Sequence, residues 1–173
     1  MALSRAGDGT PVPTPAATGS DAAWLEQAVA LAADNVAAGG GPFAALVLRD
    51  GRLVGRGVNR VTRDNDATAH AEVVAIRDAC RRLGQFRLTA CQLVSSCEPC
   101  PMCLGAALWA HIARIVYAAD RHDAARGGFD DHEFHRLFDA PRSAWPVPVE
   151  RVPVNDPAAP FVIWRDCLER VDY

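Results

Sequence analysis

The sequence predicts an α/β domain, a three-layer α/β/α arrangement around a mixed five-stranded sheet. Three observations carry this. Short apolar runs alternate along the chain with segments whose apolar residues recur at helical spacing, which places helices on both faces of a sheet. Arg49-Asp50-Gly51 joins two such runs as a tight turn, so the sheet begins with an antiparallel hairpin. Gly and Pro punctuate the ends of nearly every segment.

Residues 1–20, rich in Gly, Pro, Thr and Ala, are expected to be a disordered leader, and residues 21–173 a single domain. Ser20 or Asp21 caps a helix over 22–38, whose Ala23, Leu25, Val29, Leu31 and Ala32 form one stripe. Gly39-Gly40-Gly41-Pro42 ends it. Strands follow over 43–48 and 53–58. A polar loop over 59–68 leads to a helix over 70–83 with Val73, Val74, Ile76 and Cys80 inward, closed by Gly84. The pattern continues with a strand over 91–96, a helix over 101–110 opened by Pro101, and a strand over 112–118 parallel to its neighbour. Residues 120–139 are mixed and partly helical, broken at Gly127-Gly128. A fifth strand is expected over 147–152, and a last helix over 157–170 capped by Asp156.

The composition narrows the function. Half of the 173 residues are apolar and 23% are charged, a soluble globular balance with no apolar run long enough to span a membrane. The net charge of −3 disfavours broad binding to nucleic-acid phosphates. Arg49, Arg52, Arg56, Arg60 and Arg63 make the one basic cluster, and alternation along a strand turns most of them into solvated edge charges. Six cysteines without a signal peptide suit a reducing, cytoplasmic compartment. Cys80, Cys91 and Cys167 read as small core hydrophobes.

The chemistry concentrates in two motifs, His70-Ala71-Glu72 and Pro99-Cys100-Pro101-Met102-Cys103. They supply one imidazole, two thiolates and one carboxylate. A catalytic zinc takes three protein ligands and keeps a fourth position open; His70, Cys100 and Cys103 fill the three, with one Zn2+ per chain. Both motifs fall in the first turns of helices, where spare N–H donors and the helix dipole favour thiolate over thiol. Zinc brings the pKa of bound water down to about 7, and Glu72, left uncoordinated, can take and return its proton. A zinc that only staples the fold needs a fourth protein ligand, and Cys97 could serve as one. Under that reading Glu72 has no purpose. His132 and His135 beside two aspartates are read as exposed helical histidines rather than a second metal site, and His111 and His122 as surface or loop residues.

The pattern H-x-E…P-C-x-x-C is the signature of zinc deaminases acting on nucleobases. With Ala67-Thr68-Ala69-His70-Ala71-Glu72, residues 96–105 around the cysteines, Trp109-Ala110 and Gly128-Phe129-Asp130-Asp131, the chain from Asp21 to Tyr173 resembles the bacterial guanine deaminases of the cytidine-deaminase fold. That resemblance implies hydrolysis of guanine to xanthine and ammonia, with Glu72 as proton shuttle and Asp131 handling protons on the purine amine. It implies base contacts from Phe43, Asn59, Ala71, Trp109 and Asp131. It also implies that Tyr173 closes the pocket of the neighbouring subunit in a homodimer with exchanged tails. Ala67, Val94 and Leu108 depart from the family pattern and leave room for a related substrate, guanosine or an aminated triazine such as ammeline. A tRNA adenosine deaminase shares the zinc motif but calls for a basic face. A catalytically silent zinc scaffold has no reason to keep Glu72.

Overall fold

The structure is a computed structural model that describes residues 19–172. The expected leader, apart from Gly19 and Ser20, and Tyr173 lie outside the described residues. The chain divides at Asp130/Asp131 into two compact units.

The first unit opens with α1 (Asp21–Ala37), capped as expected by Ser20, whose Oγ accepts from Ala23 N at 3.2 Å. β1 (Ala44–Arg49) and β2 (Arg52–Val58) form the antiparallel hairpin. Asp50 and Gly51 both adopt positive φ, 50° and 70°, the backbone that a two-residue hairpin turn with matching twist requires. The loop expected to be irregular holds one helical turn, α2 (Val61–Asp64), ended by Asn65 in the left-handed region. α3 (Ala71–Leu83) follows and stops at left-handed Gly84. β3 (Cys91–Cys97), α4 (Pro101–Trp109), β4 (Arg114–Ala119) and the short α5 (Arg121–Arg126) complete this unit.

The strand order is β2-β1-β3-β4, with β1 antiparallel to both neighbours and β4 parallel to β3. The sheet therefore has four strands among the described residues, not five. Side chains alternate across it. Ala45, Val47, Cys91 and Leu93 face Ala71, Ala75, Ile76 and Ala79 of α3 and Ala107 of α4. Ala44, Leu46, Leu48 and Val94 face Ala28, Leu31 and Ala32 of α1 on the other side. Residues one apart on the strand thus serve different layers. The expected layering holds.

α3 lies unusually close to β2. A Cβ on Gly57 would stand 2.1 Å from the Ala71 carbonyl oxygen and 2.4 Å from Ala75 N; one on Gly55 would stand 2.6 Å from the Ala75 carbonyl oxygen. Two glycines on one face of the strand let a helix backbone rest directly on the sheet, and that contact sets the height of the first turn of α3.

The second unit contains α6 (His132–Asp139), a 3-10 turn over Arg142–Ala144 and α7 (Ala159–Asp166). Trp145 packs on Phe138 with ring centroids 5.4 Å apart and donates from Nε1 to the Leu137 carbonyl at 2.8 Å. Residues 147–152 form no strand. Val147 and Val149 alternate as a strand would, but Val152 is out of phase with them, Pro148 interrupts the run and Pro146 and Pro153 flank it, and proline brings no N–H to a ladder. α7 is shorter than the 157–170 expected. Asp156 has φ 46° and does not cap it; Ala158 does, and the helix ends at extended Cys167. Cys167 is exposed rather than part of the core, and Cys80 is only partly buried, whereas Cys91 is buried as expected.

Candidate active site

Two helix starts build the site, one after the loop that holds α2 and one directly after β3. The extended His70 is the residue before the first turn of α3, so the helix begins one position later than the sequence suggests and Ala71 and Glu72 open it. Cys100 holds the same place before α4, with Pro101 in the first turn and Cys103 one turn in. Glu98, just before this turn, is paired with Arg121, whose backbone N–H also donates to Glu98 at 3.1 Å. The cysteine turn is thereby tied to the start of α5.

The result is convergence. Cys100 Sγ and Cys103 Sγ lie 3.5 and 3.6 Å from His70 Nδ1. His70, Cys100 and Cys103 are the one group of three metal-capable side chains among the described residues, their donor atoms all within 4.8 Å of one another. Glu72 does not belong to the triad but touches it: its Oε2 accepts from Cys103 Sγ at 3.3 Å and its Oε1 accepts from Ser95 Oγ at 3.1 Å. Glu72 is buried, only 6% exposed.

The electrostatics follow from burial and crowding. Desolvation pushes the Glu72 carboxyl above the ordinary carboxylate range, against the hydrogen bonds that would lower it. The Cys100 thiol is held far below its usual range, chiefly by its close polar contact with Cys103, with help from His70. The same contact, burial and Glu72 push the Cys103 thiol upward. The pair gives up one proton readily and the second only against its neighbours' charge. A divalent cation removes that obstacle.

Zinc fits this donor set. Bond lengths of about 2.3 Å to sulfur and 2.0–2.1 Å to nitrogen put tetrahedral neighbours about 3.6 Å apart, the spacing seen from His70 Nδ1 to either sulfur. Three donors leave the fourth position open. Cys97 does not join them: its Sγ donates to the Asp120 carbonyl at 3.7 Å. It lines a cavity of about 370 Å³ with Val29, Ala32, Phe43 and Phe129, to which none of the three donors contributes.

Residues 18–119 match the family model of the cytidine and deoxycytidylate deaminase zinc-binding region. The chain is 46% identical over 151 residues to the guanine deaminase of Bacillus subtilis (strain 168), spanning 87% of this chain and 97% of that protein. The chain belongs to the guanine deaminase family. The X-ray structure of the Bacillus subtilis guanine deaminase matches with a TM-score of 0.86 at 44% identity, covering 90% of this chain and 99% of that one. A structure of the guanine deaminase from Nitrosomonas europaea matches with a TM-score of 0.63 at 37% identity, covering 68% and 69%. The tRNA-specific adenosine deaminase of Agrobacterium fabrum is also 46% identical, but over 78 residues, 45% of this chain and 51% of that protein. The cytidine-deaminase-like fold and a zinc-dependent aminohydrolase are thereby established.

The remaining expected residues of this deaminase distribute as follows. Phe43 is half-buried and meets Phe129 edge to face, with centroids 5.0 Å apart. Asn59 lies at the end of β2, with its Oδ1 accepting from Val61 N at 3.3 Å. Ala71 is fully buried. Trp109 is 72% exposed and Leu108 beside it 74%, so neither is the core residue that its apolar character suggests. Val94 packs against α1, on the face of the sheet opposite α3 and α4. In the second unit, Asp131 precedes α6 without capping it; its Oδ2 pairs with His135 Nε2 at 3.1 Å, and its buried Oδ1 meets no partner among the described residues. Ser95 was not read from the sequence as a site residue. Its signal was a hydroxyl on the strand face that Cys91 and Leu93 otherwise keep free of oxygen and nitrogen side-chain atoms.

Proposed function

We infer that this protein is a zinc-dependent hydrolytic deaminase that converts guanine to xanthine and ammonia. The observation that carries the reading is Glu72: a buried carboxylate in contact with a three-donor metal site and yet outside it. Zinc held by His70, Cys100 and Cys103 supplies the Lewis acidity that makes a water nucleophilic at neutral pH. The chain's own residues do the rest. Ser95 fixes Glu72 Oε1, leaving Oε2 as the oxygen turned toward the ligand cluster. Glu72 takes a proton from the water as oxygen attacks the amine-bearing ring carbon and passes it to the neighbouring ring nitrogen. It then carries the second proton to the departing amine, so that one water is consumed and one ammonia released. Held by Ser95 and adjoining Cys103, the carboxyl is placed to keep the proton between the two halves of this shuttle.

Phe43, Asn59, Ala71 and Trp109 are assigned to the base pocket, and Asp131 to the protons of the purine amine. Guanosine and ammeline-type heterocycles remain the second reading within the same chemistry, because Leu108 stands where the family pattern expects a larger polar aromatic. The test is ammonia release from a panel of guanine, guanosine, cytosine, adenine and ammeline. Guanine should lead by at least about tenfold in kcat/KM. Release from ammeline or guanosine alone would reassign the substrate, and no release from a zinc-loaded protein would favour a scaffold.

The assembly is proposed to be a homodimer with exchanged C-terminal tails, in which Tyr173 closes the partner's pocket. Two sets of exposed apolar side chains support this. One is Leu108 and Trp109 on the first unit; the other is Phe161, Ile163 and Leu168 in the second, 71% to 97% exposed. Deleting residues 171–173 should lower kcat/KM about a hundredfold while metal analysis still finds one zinc per chain. Unchanged kinetics would remove Tyr173 from the pocket. No helix among the described residues is long and apolar enough to cross a membrane. A reducing, cytoplasmic setting is proposed because Cys100 and Cys103 must stay thiolates to hold the metal.

A further inference from the structure

Asn35 is a buried amide, 4% exposed, near the end of α1. Asparagine is a poor choice inside a helix, and burying an amide is costly unless its groups are bonded. Here they are. One Nδ2 hydrogen goes to the Gly41 carbonyl at 2.8 Å and the other to the Asn59 carbonyl at 2.9 Å. Oδ1 accepts from Arg63 at 2.9 Å. The two carbonyls belong to different segments, 24 residues and six residues away in sequence. Each adjoins a residue assigned to the base: Phe43 follows Gly41 by two positions, and Asn59 is itself one of the pair. The same segments are joined by Phe43 N donating to the Gly41 carbonyl at 2.8 Å and Asn59 N donating to the Phe43 carbonyl at 2.9 Å.

The packing leaves no slack. A Cβ on Gly40 would stand 2.4 Å from Asn35 Nδ2, and one on Gly41 would stand 2.9 Å from Asn59 Oδ1. The glycine loop is therefore moulded around the two amides rather than merely ending α1. Asn59 Oδ1 accepts from Val61 N, so the donor end of this amide, Nδ2, is the end assigned to a base acceptor. The two carbonyls fix which way the Asn35 amide points, and Arg63, on α2, clamps its Oδ1 end, so all three polar positions of the side chain are held.

We propose that Asn35 is a positioning residue for substrate recognition: its amide, fixed by Arg63, sets the distance between the Phe43 and Asn59 walls that receive the base. This rests on the reading that those two residues contact the substrate. It assigns specificity to a side chain that touches no substrate and to an arginine that the sequence presents as a surface charge.

The test is steady-state kinetics on the zinc-loaded, full-length protein, with metal content and Tm measured alongside. Asn35→Ala should raise KM for guanine about tenfold and change kcat less than about threefold. Arg63→Met, at an exposed position that keeps the fold, should raise KM about threefold by removing the partner that clamps Asn35 Oδ1 and so loosening the amide between the two walls. A purely structural Asn35 would lower Tm and the active fraction with KM unchanged, and that result overturns the proposal. If Asn35→Ala does not fold, the Arg63→Met result decides it, and an unchanged KM there is fatal. Asn59→Ala separates the two layers. Should Asn59→Ala leave KM unaltered, the base-contact reading fails; if it raises KM while Asn35→Ala and Arg63→Met do not, only the positioning role fails.

Discussion

Glu72→Gln is expected to retain one zinc per chain and to lose turnover by about 10³-fold or more, within the range that positioned acid–base groups supply. The substitution keeps shape, and a glutamine oxygen can still accept from Ser95 Oγ at the Oε1 position. What disappears is the ability to move a proton. Because Glu72 is not one of the three donors, metal content should not fall. Stability should move the other way from activity. In the zinc-free protein the carboxyl is held above its ordinary range by desolvation, so folding favours its protonated form. The native state then binds more protons than the unfolded chain, and stability falls as pH rises from the usual carboxylate range through the raised value. Above that window the buried charge is a net cost that glutamine removes. Zinc-free Glu72→Gln should therefore melt at or above the parent at neutral pH. Atomic absorption, kcat and a pH series of melting curves check all three. Turnover retained with zinc bound would remove Glu72 from the proton path.

The same residues explain what could be read from sequence. His70, Glu72, Cys100 and Cys103 were legible because metal chemistry restricts both residue type and spacing, and helix starts present them. The hairpin was legible because Asp50-Gly51 is a local turn. The false fifth strand shows where local patterns mislead: Val147 and Val149 alternate correctly, but Val152 falls out of phase, a strand also needs N–H donors, and three prolines withdraw them from the segment and its flanks. α2 escaped notice because one helical turn leaves no periodicity. Ser95 and Asn35 were illegible for another reason. A buried polar residue is explained only by its partners, and theirs lie 23 residues away at Glu72 and 24 at Asn59. Trp109 is exposed although large and apolar, because apolar character does not say which surface will be covered, or by what.

Gly57→Ala is expected to damage the site from the back of the sheet. Its new Cβ would stand 2.1 Å from the Ala71 carbonyl oxygen, 2.4 Å from Ala75 N and 3.0 Å from Val74 Cβ. The first two are helix backbone, which cannot swing away as a flexible side chain would, so α3 must rise by roughly 1 Å or the strand must bend. Overpacking of this kind costs about 3 kcal/mol, which for a chain of this size lowers Tm by about 6–12 °C. Ala71 sits between His70 and Glu72, so the displacement also moves a metal ligand and the proton carrier together. A misplacement of about 1 Å is enough to cost about 10²-fold in rate, and zinc affinity should fall with it. Gly55→Ala provides the comparison. Its Cβ meets the Ala75 carbonyl at 2.6 Å and Ala79 at 2.7 Å, farther along α3 from the ligands. Both variants should lose stability, but Gly57→Ala should lose far more activity per zinc-bound chain. Equal losses would mean that the close approach of α3 to β2 serves stability alone, and an unshifted Tm in Gly57→Ala would mean that the two backbones are not in contact.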